Sequence, residues 1–124
     1  MRSDNYIDYE AENGIIFLFD PALRKVDVPA YIVGETVSVS QNCASISTRV
    51  WVDGAVKMRL SEYPPEPNLH KVFDGEIIAP SAEVCLVSPE NHPIVCSKLR
   101  EKFAKFAVWV DDPRNASIVC VQLL

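Results

Sequence analysis

Residues 36–60 read TVSVSQNCASISTRVWVDGAVKMRL, and apolar and polar residues alternate along them with a period of two. Ile46, Thr48, Val50, Val56, Met58 and Leu60 fall on one side, while Ser45, Ser47, Arg49, Lys57 and Arg59 fall on the other. Side chains of a strand point alternately to opposite faces, so this pattern predicts a half-buried antiparallel hairpin with one wet face. A two-residue loop of Asp53-Gly54 would set Val50 against Lys57 and mix the faces. A three-residue loop of Val52-Asp53-Gly54 pairs Val50 with Val56, Thr48 with Met58 and Ile46 with Leu60. It also puts Gly54 at the left-handed position, where a missing Cβ costs least.

Other elements follow from the same reading. Ile15–Phe19 is a continuous apolar run ended by Asp20-Pro21, long enough for a buried strand and too short for a helix. Residues 29–33 form a second short candidate. Pro64, Pro65 and Pro67 mark 62–68 as a surface loop, which also reads, less simply, as a proline-rich ligand segment. His70–Ile78 resumes strand character, with Val72 and Ile78 inward, and residues 82–87 and 94–97 form a hairpin around Pro89-Glu90-Asn91-His92. Leu99, Phe103 and Phe106 are spaced four and three apart, which predicts a short helix over 98–105 with Ser97 as its N-cap. Period two returns at Phe106, Val108 and Val110, and an apolar strand over 117–123 closes the chain after the turn Asp111-Asp112-Pro113. About eight short strands separated by turn residues predict an all-β fold, an antiparallel β-sandwich with at most that one helix. Residues 1–13 read as an acidic tail or an added edge segment, and 14–124 as the sandwich domain.

At 124 residues the chain is the size of one domain with its own core. Its net charge is 12 − 17 = −5, so nucleic acid and anionic lipid are both disfavoured as direct partners. The opening MRSDNYIDYE has no apolar core of a signal peptide, and no apolar run approaches membrane-spanning length. Cytoplasmic residence is the expectation that follows, with Cys43, Cys85, Cys96 and Cys120 reduced and packed as small hydrophobes. The hairpin nevertheless places Cys85 opposite Cys96, within contact distance.

Chemistry is hard to find in this chain. It has no Cys-x-x-Cys pair, its two histidines stand apart at 70 and 92, and its four glycines are scattered. Asp111-Asp112 is explained by the turn preference of Asp, which bonds its own backbone. No metal, cofactor or catalytic residue is assigned. Two surface groups remain. Asp4, Asp8, Glu10 and Glu12 surround Tyr6, Ile7 and Tyr9, either as a solvated tail or as an interface to a basic protein with Tyr9 as its aromatic anchor. Arg49, Trp51, Lys57 and Arg59 share the polar side of the hairpin, with Arg49 opposite Lys57, and read as packed stems or as a second surface patch.

Four segments carry a likeness to a known family: IIFLFD, the run VSVSQNCASISTRVWVDGAVKMRL, FDGEIIAPSAEVCLVS and FAVWVDD. From Gly14 onward their order resembles the competence protein J-like nuclease inhibitors of bacteria. The resemblance implies a small cytosolic sandwich that binds and blocks a nuclease without catalysis of its own.

The function expected on these grounds is a non-catalytic binding module of nuclease-inhibitor or immunity type. It would present Asp8, Tyr9, Glu10, Glu12, Asp111 and Asp112 to a basic partner. The alternative is a small-molecule or lipid-binding sandwich, or an enzyme, with Phe103, Phe106 and Trp109 around a pocket. Because the strand over 117–123 is apolar on both faces, it needs cover on both. The N-terminal segment, the short helix or a second copy could supply it, and a homodimer is the expected answer.

Overall fold

The computed structural model of the chain describes residues 6–30 and 32–124, so Asp4 and Tyr31 lie outside the described residues. Among the described residues ten strands run in chain order: β1 (Ile7–Tyr9), β2 (Ile15–Phe19), β3 (Val37–Val39), β4 (Cys43–Ser47), β5 (Val56–Ser61), β6 (His70–Ile78), β7 (Glu83–Val87), β8 (Pro93–Lys98), β9 (Phe103–Val110) and β10 (Ile118–Leu123). They form two five-stranded sheets, ordered β1-β5-β10-β9-β6 and β3-β4-β2-β7-β8. Pairing is antiparallel except between β10 and β5, which run parallel. The fold is an all-β sandwich.

Its core is the meeting of the two inner faces. Ile16, Leu18, Ile46, Val84 and Leu86 of one sheet pack against Val56, Met58, Leu60, Phe106, Val108 and Val121 of the other, all fully buried. Burying an aliphatic side chain of this size contributes roughly 1.5–3 kcal/mol, so these two rows dominate the stability. The run at Ile15–Phe19 is apolar throughout because both its faces are covered. Ile16 and Leu18 enter the main core, whereas Phe17 and Phe19 join Cys43, Cys85, Val87 and Val26 in a smaller cluster outside the second sheet.

The predicted hairpin is not there. β4 pairs with β2 and β3, and β5 pairs with β1 and β10, so the two strands belong to opposite sheets. Residues 48–55 cross between them as an arch containing one 3₁₀ turn, Trp51–Asp53. Ile46 and Leu60 do both point inward, but across the core rather than side by side. Alternation fixes which face of a strand is buried; it is silent on whether two such strands are neighbours or opposites. Gly54 does take a positive φ, +116°.

Three smaller expectations also change. The segment 98–105 makes no helix, and Ser97 lies inside β8. Leu99 N–H donates to Ala82 O at 2.8 Å, and Ala79 N–H donates to Lys102 O at 2.8 Å, so this backbone bonds the neighbouring turn instead of itself. In β6 a bulge between Lys71 and Phe73 flips the alternation, so Ile77 is buried and Ile78 is exposed. Residues around Ile32 and Val33 form a turn closed by Glu35 N–H to Ile32 O, not a strand, and both side chains face solvent.

Strand β10 lies in the middle of its sheet, which explains its two apolar faces. Val119 and Val121 enter the core. On the outer face Cys120 is covered within the chain: Arg59 Nη2 lies 3.2 Å from its sulfur and also donates to Pro64 O at 3.0 Å. The Tyr6 ring sits 5.3 Å from that guanidinium, and Tyr6 donates to Glu66 Oε2 at 2.6 Å. The N-terminal segment and the proline loop thus supply the cover for which a second copy was expected.

Cys85 and Cys96 face each other in register and are joined in a disulfide, so two of the four cysteines are not the reduced thiols expected from a cytoplasmic setting. Cys43 and Cys120 are free and buried. Burial, then the charge of Asp27, pushes the Cys43 thiol up to about 12, so it is inert at neutral pH.

A second clamp joins the loop after β2 to the turn after β6. Fully buried Asp20 accepts hydrogen bonds from Ser81 N–H and Ser81 O–H, each at 2.6 Å, and from Ala22 N–H at 2.8 Å. Burial alone would raise its pKa, but these donors outweigh it and hold the carboxyl below its usual 3.8.

Two measurements check these clamps. Asp20→Asn should lower unfolding free energy at pH 7 by about 2–4 kcal/mol, because it loses charge-assisted hydrogen bonds. A depressed folded pKa contributes stability above the unfolded value and loses it as pH falls through the folded one. Denaturant melts should therefore converge for the two proteins as pH falls well below 3.8. Denatured without reductant, the protein should titrate two thiols, and Cys96→Ser should cost about 2–3 kcal/mol by freeing a short loop.

Candidate protein-binding surface

Strand register gathers five segments at one end of the sandwich. Tyr9 pairs with Val56, Ile15 with Ser47, Val87 with Pro93 and Val119 with Val110, so the connections 10–14, 48–55, 88–92 and 111–117 all emerge together. Thr36, which leads into β3, joins them through a hydrogen bond from its hydroxyl to Pro113 O at 3.0 Å. Glu10, Glu12, Asp53, Glu90 and Asp112 are exposed on these connections, with Glu35 just beyond. Among the described residues none of the six carboxylates makes an ion pair. The cations there include Arg114, which is exposed, and Arg49, which is tucked under the arch, and Arg24 borders the turn at 88–91. Lys98, Arg100 and Lys102 lie at the opposite end. Glu62, Glu83 and Glu101 lie among them, so that end is of mixed sign, whereas the arch end is mostly acidic.

The acidic residues singled out from sequence are distributed unevenly. Glu10 and Glu12 flank Ala11, whose buried carbonyl accepts from both Gly14 N–H and Trp51 N–H, so the two carboxylates are anchored beside the arch. Asp8 lies in β1 and pairs with Lys57 at 3.0 Å directly across the strand boundary, an exposed contact worth little energy. Tyr9 is half-buried and packs against the core, so only part of its ring is presented to solvent. Asp111 accepts from Ser117 N–H and Ile118 N–H at 2.9 Å each and from the Ser117 hydroxyl. Burial raises its pKa, yet these donors prevail and lower it, which identifies its work as closing the β9–β10 turn. Asp112 is exposed; its carboxylate accepts from Arg114 N–H at 3.0 Å and its carbonyl from Asn115 N–H at 3.2 Å.

The cationic group separates. Lys57 and Arg59 share the outer face of their sheet, as period two requires, but Arg59 is 7% exposed and held beneath Tyr6. Arg49 does not oppose Lys57. Its guanidinium donates to Ala55 O at 2.6 Å from inside the arch. Trp51 stands at the arch tip, half exposed. Sequence reasoning passed over Asp53 and Glu35, since only the crossing between sheets brings them to the end where Glu10 and Glu12 lie.

The aromatic residues set aside for a pocket have different places. Phe106 is core, Trp109 lies in a surface groove of about 330 Å³ with Lys71, Lys105 and Gln122, and Phe103 borders another of about 390 Å³. Trp109 Nε1 donates to Gln122 Oε1 at 3.1 Å, which fixes the ring across the sheet. Both histidines are exposed. The grouping of Glu83, Cys85 and Cys96 brings ligand-type atoms within 4.8 Å, but its two sulfurs are bonded to each other.

No protein-family model matches the chain, and no curated protein matches it. Among solved structures, it is similar to the crystal structure of ComJ, inhibitor of the DNA degrading activity of NucA, from Bacillus subtilis. The superposition has a TM-score of 0.56 and covers 95% of this chain and 96% of that one, at 8% sequence identity. The likeness first drawn from strand order and motifs is thus a likeness of the whole fold: this chain and ComJ share one β-sandwich architecture.

Proposed function

We propose that the chain is a non-catalytic inhibitor that binds a basic protein, a nuclease, through its acidic end. The observation carrying this reading is the end-to-end match of its fold to ComJ. The charge distribution supports it. Exposed Glu10, Glu12 and Asp112 offer carboxylates where a nucleic-acid-binding cleft would otherwise hold phosphates, and a field of one sign speeds the encounter. Asp8 adds charge at the margin, Tyr9 stiffens the segment that carries Glu10 and Glu12, and Asp111 shapes the turn that presents Asp112.

A low-salt pull-down from the native host, with DNA-degradation assays on the recovered protein, tests the proposal. The expected result is a basic nuclease whose activity falls stoichiometrically as the chain is added, with affinity dropping as salt rises from roughly 50 to 500 mM and the Debye length shortens from about 14 to about 4 Å. DNA degradation unaffected by an excess of the chain, for every recovered partner, would overturn it.

A further inference from the structure

Three consecutive apolar residues crown the acidic end. Val50, Trp51 and Val52 are 37%, 51% and 66% exposed, although a solvent loop has no need of them. They are also held out. Asp53 N–H donates to Val50 O at 3.0 Å and Gly54 N–H to Trp51 O at 2.9 Å, which closes the 3₁₀ turn on itself. Trp51 N–H donates to Ala11 O at 3.0 Å and Arg49 N–H to Ala116 O at 2.9 Å, which pins the arm leading into the turn, while Lys57 N–H donates to Ser117 O at 2.8 Å on the far side. The guanidinium of Arg49 fills the space below: a Cβ on Gly54 would lie 2.8 Å from its Nη2. The tip therefore cannot fold back onto the protein, and little conformational freedom is left to lose on binding.

Building on the inhibitor reading, we propose that Trp51, with Val52, is the anchor of the interface, inserted into a basic cleft of the partner protein that has an apolar floor. Rigid aromatics at the centre of a contact supply most of its energy, and charged residues around them exclude water and set specificity. Here the surround is Glu10, Glu12 and Asp53, so the walls that fit it are cationic. A second copy of this chain does not fit, because joining two such ends would oppose like charges. An anionic membrane is excluded on the same ground.

Photo-crosslinking reads the site directly. A photoreactive phenylalanine analogue is placed at position 51, or at position 102 on the opposite end, in the full chain within its native host. Adducts are identified by mass spectrometry, and the captured protein is purified for calorimetry against wild type, Trp51→Ala and Glu12→Lys. The expected result is one basic protein captured from 51 and not from 102, with binding weakened at least about thirty-fold by Trp51→Ala. Glu12→Lys should weaken it further at low salt than at high salt. Both changes lie on exposed side chains, and unchanged thermal melts confirm that folding is intact. Capture from 102 alone, capture of a second copy at 51, no adduct at either position, or Trp51→Ala binding like wild type would each overturn the anchor. A basic partner captured at 51 that degrades no DNA would overturn the nuclease reading and leave the anchor standing.

Discussion

The chain changes sheets between Ser47 and Val56, and the rest of the architecture depends on how that crossing is satisfied. A segment leaving one sheet for another abandons its ladder partners, and buried amides without replacements are expensive. Each is met by a neighbouring connection: Ser47 N–H by Thr36 O, Thr48 N–H by Gly14 O, Arg49 N–H by Ala116 O and Trp51 N–H by Ala11 O. The β1–β2, β2–β3 and β9–β10 connections are thereby stitched to the arch. A crossing that solves its own hydrogen-bond problem also assembles the loops on which Glu10, Glu12, Asp53 and Asp112 ride.

The edges of the two sheets are guarded in different ways. β1 and β3 are only three residues each, β8 begins with Pro93, and β6 carries a bulge followed by Asp74 and Glu76. Short strands, proline, bulges and charges all discourage pairing with another chain's edge. Lys71 spans the bulge to Asp74 at 3.2 Å and lies 5.9 Å from the Trp109 ring, so the irregular stretch is tied down rather than loose.

Much of the fold was legible in local pattern, and most of what was not depends on pairing distant in sequence. Ile15–Phe19 and His70–Ile78 were read to the residue, and the Cys85–Cys96 juxtaposition followed from hairpin symmetry. These depend on contacts near in sequence. The pairing of β5 with β10 joins Lys57 to Ile118, and no periodicity encodes a partner sixty residues away. The same limit governs the candidate site. Glu10, Glu12 and Asp112 could be named as exposed carboxylates from composition and turn chemistry. Their meeting with Trp51 could not, because the hairpin reading placed that residue beside Lys57 and Arg59. The spacing of Leu99, Phe103 and Phe106 imitated a helix because a bend and a strand in succession can reproduce it.

The parallel pair has a consequence for how the molecule is made. β10 is the last strand in sequence yet lies between β5 and β9, which touch each other only through it. As the chain leaves the ribosome, β1 and β5 can pair, and so can β6 and β9, but the two halves of that sheet have no seam until β10 arrives. Until then Met58, Leu60 and Val108 lack the cover that Val119 and Val121 give them in the finished core. Closure is therefore a late, non-local event, the kind that proceeds slowly and leaves apolar surface exposed to other chains in the interval. A cell that produces this protein quickly has to protect that gap.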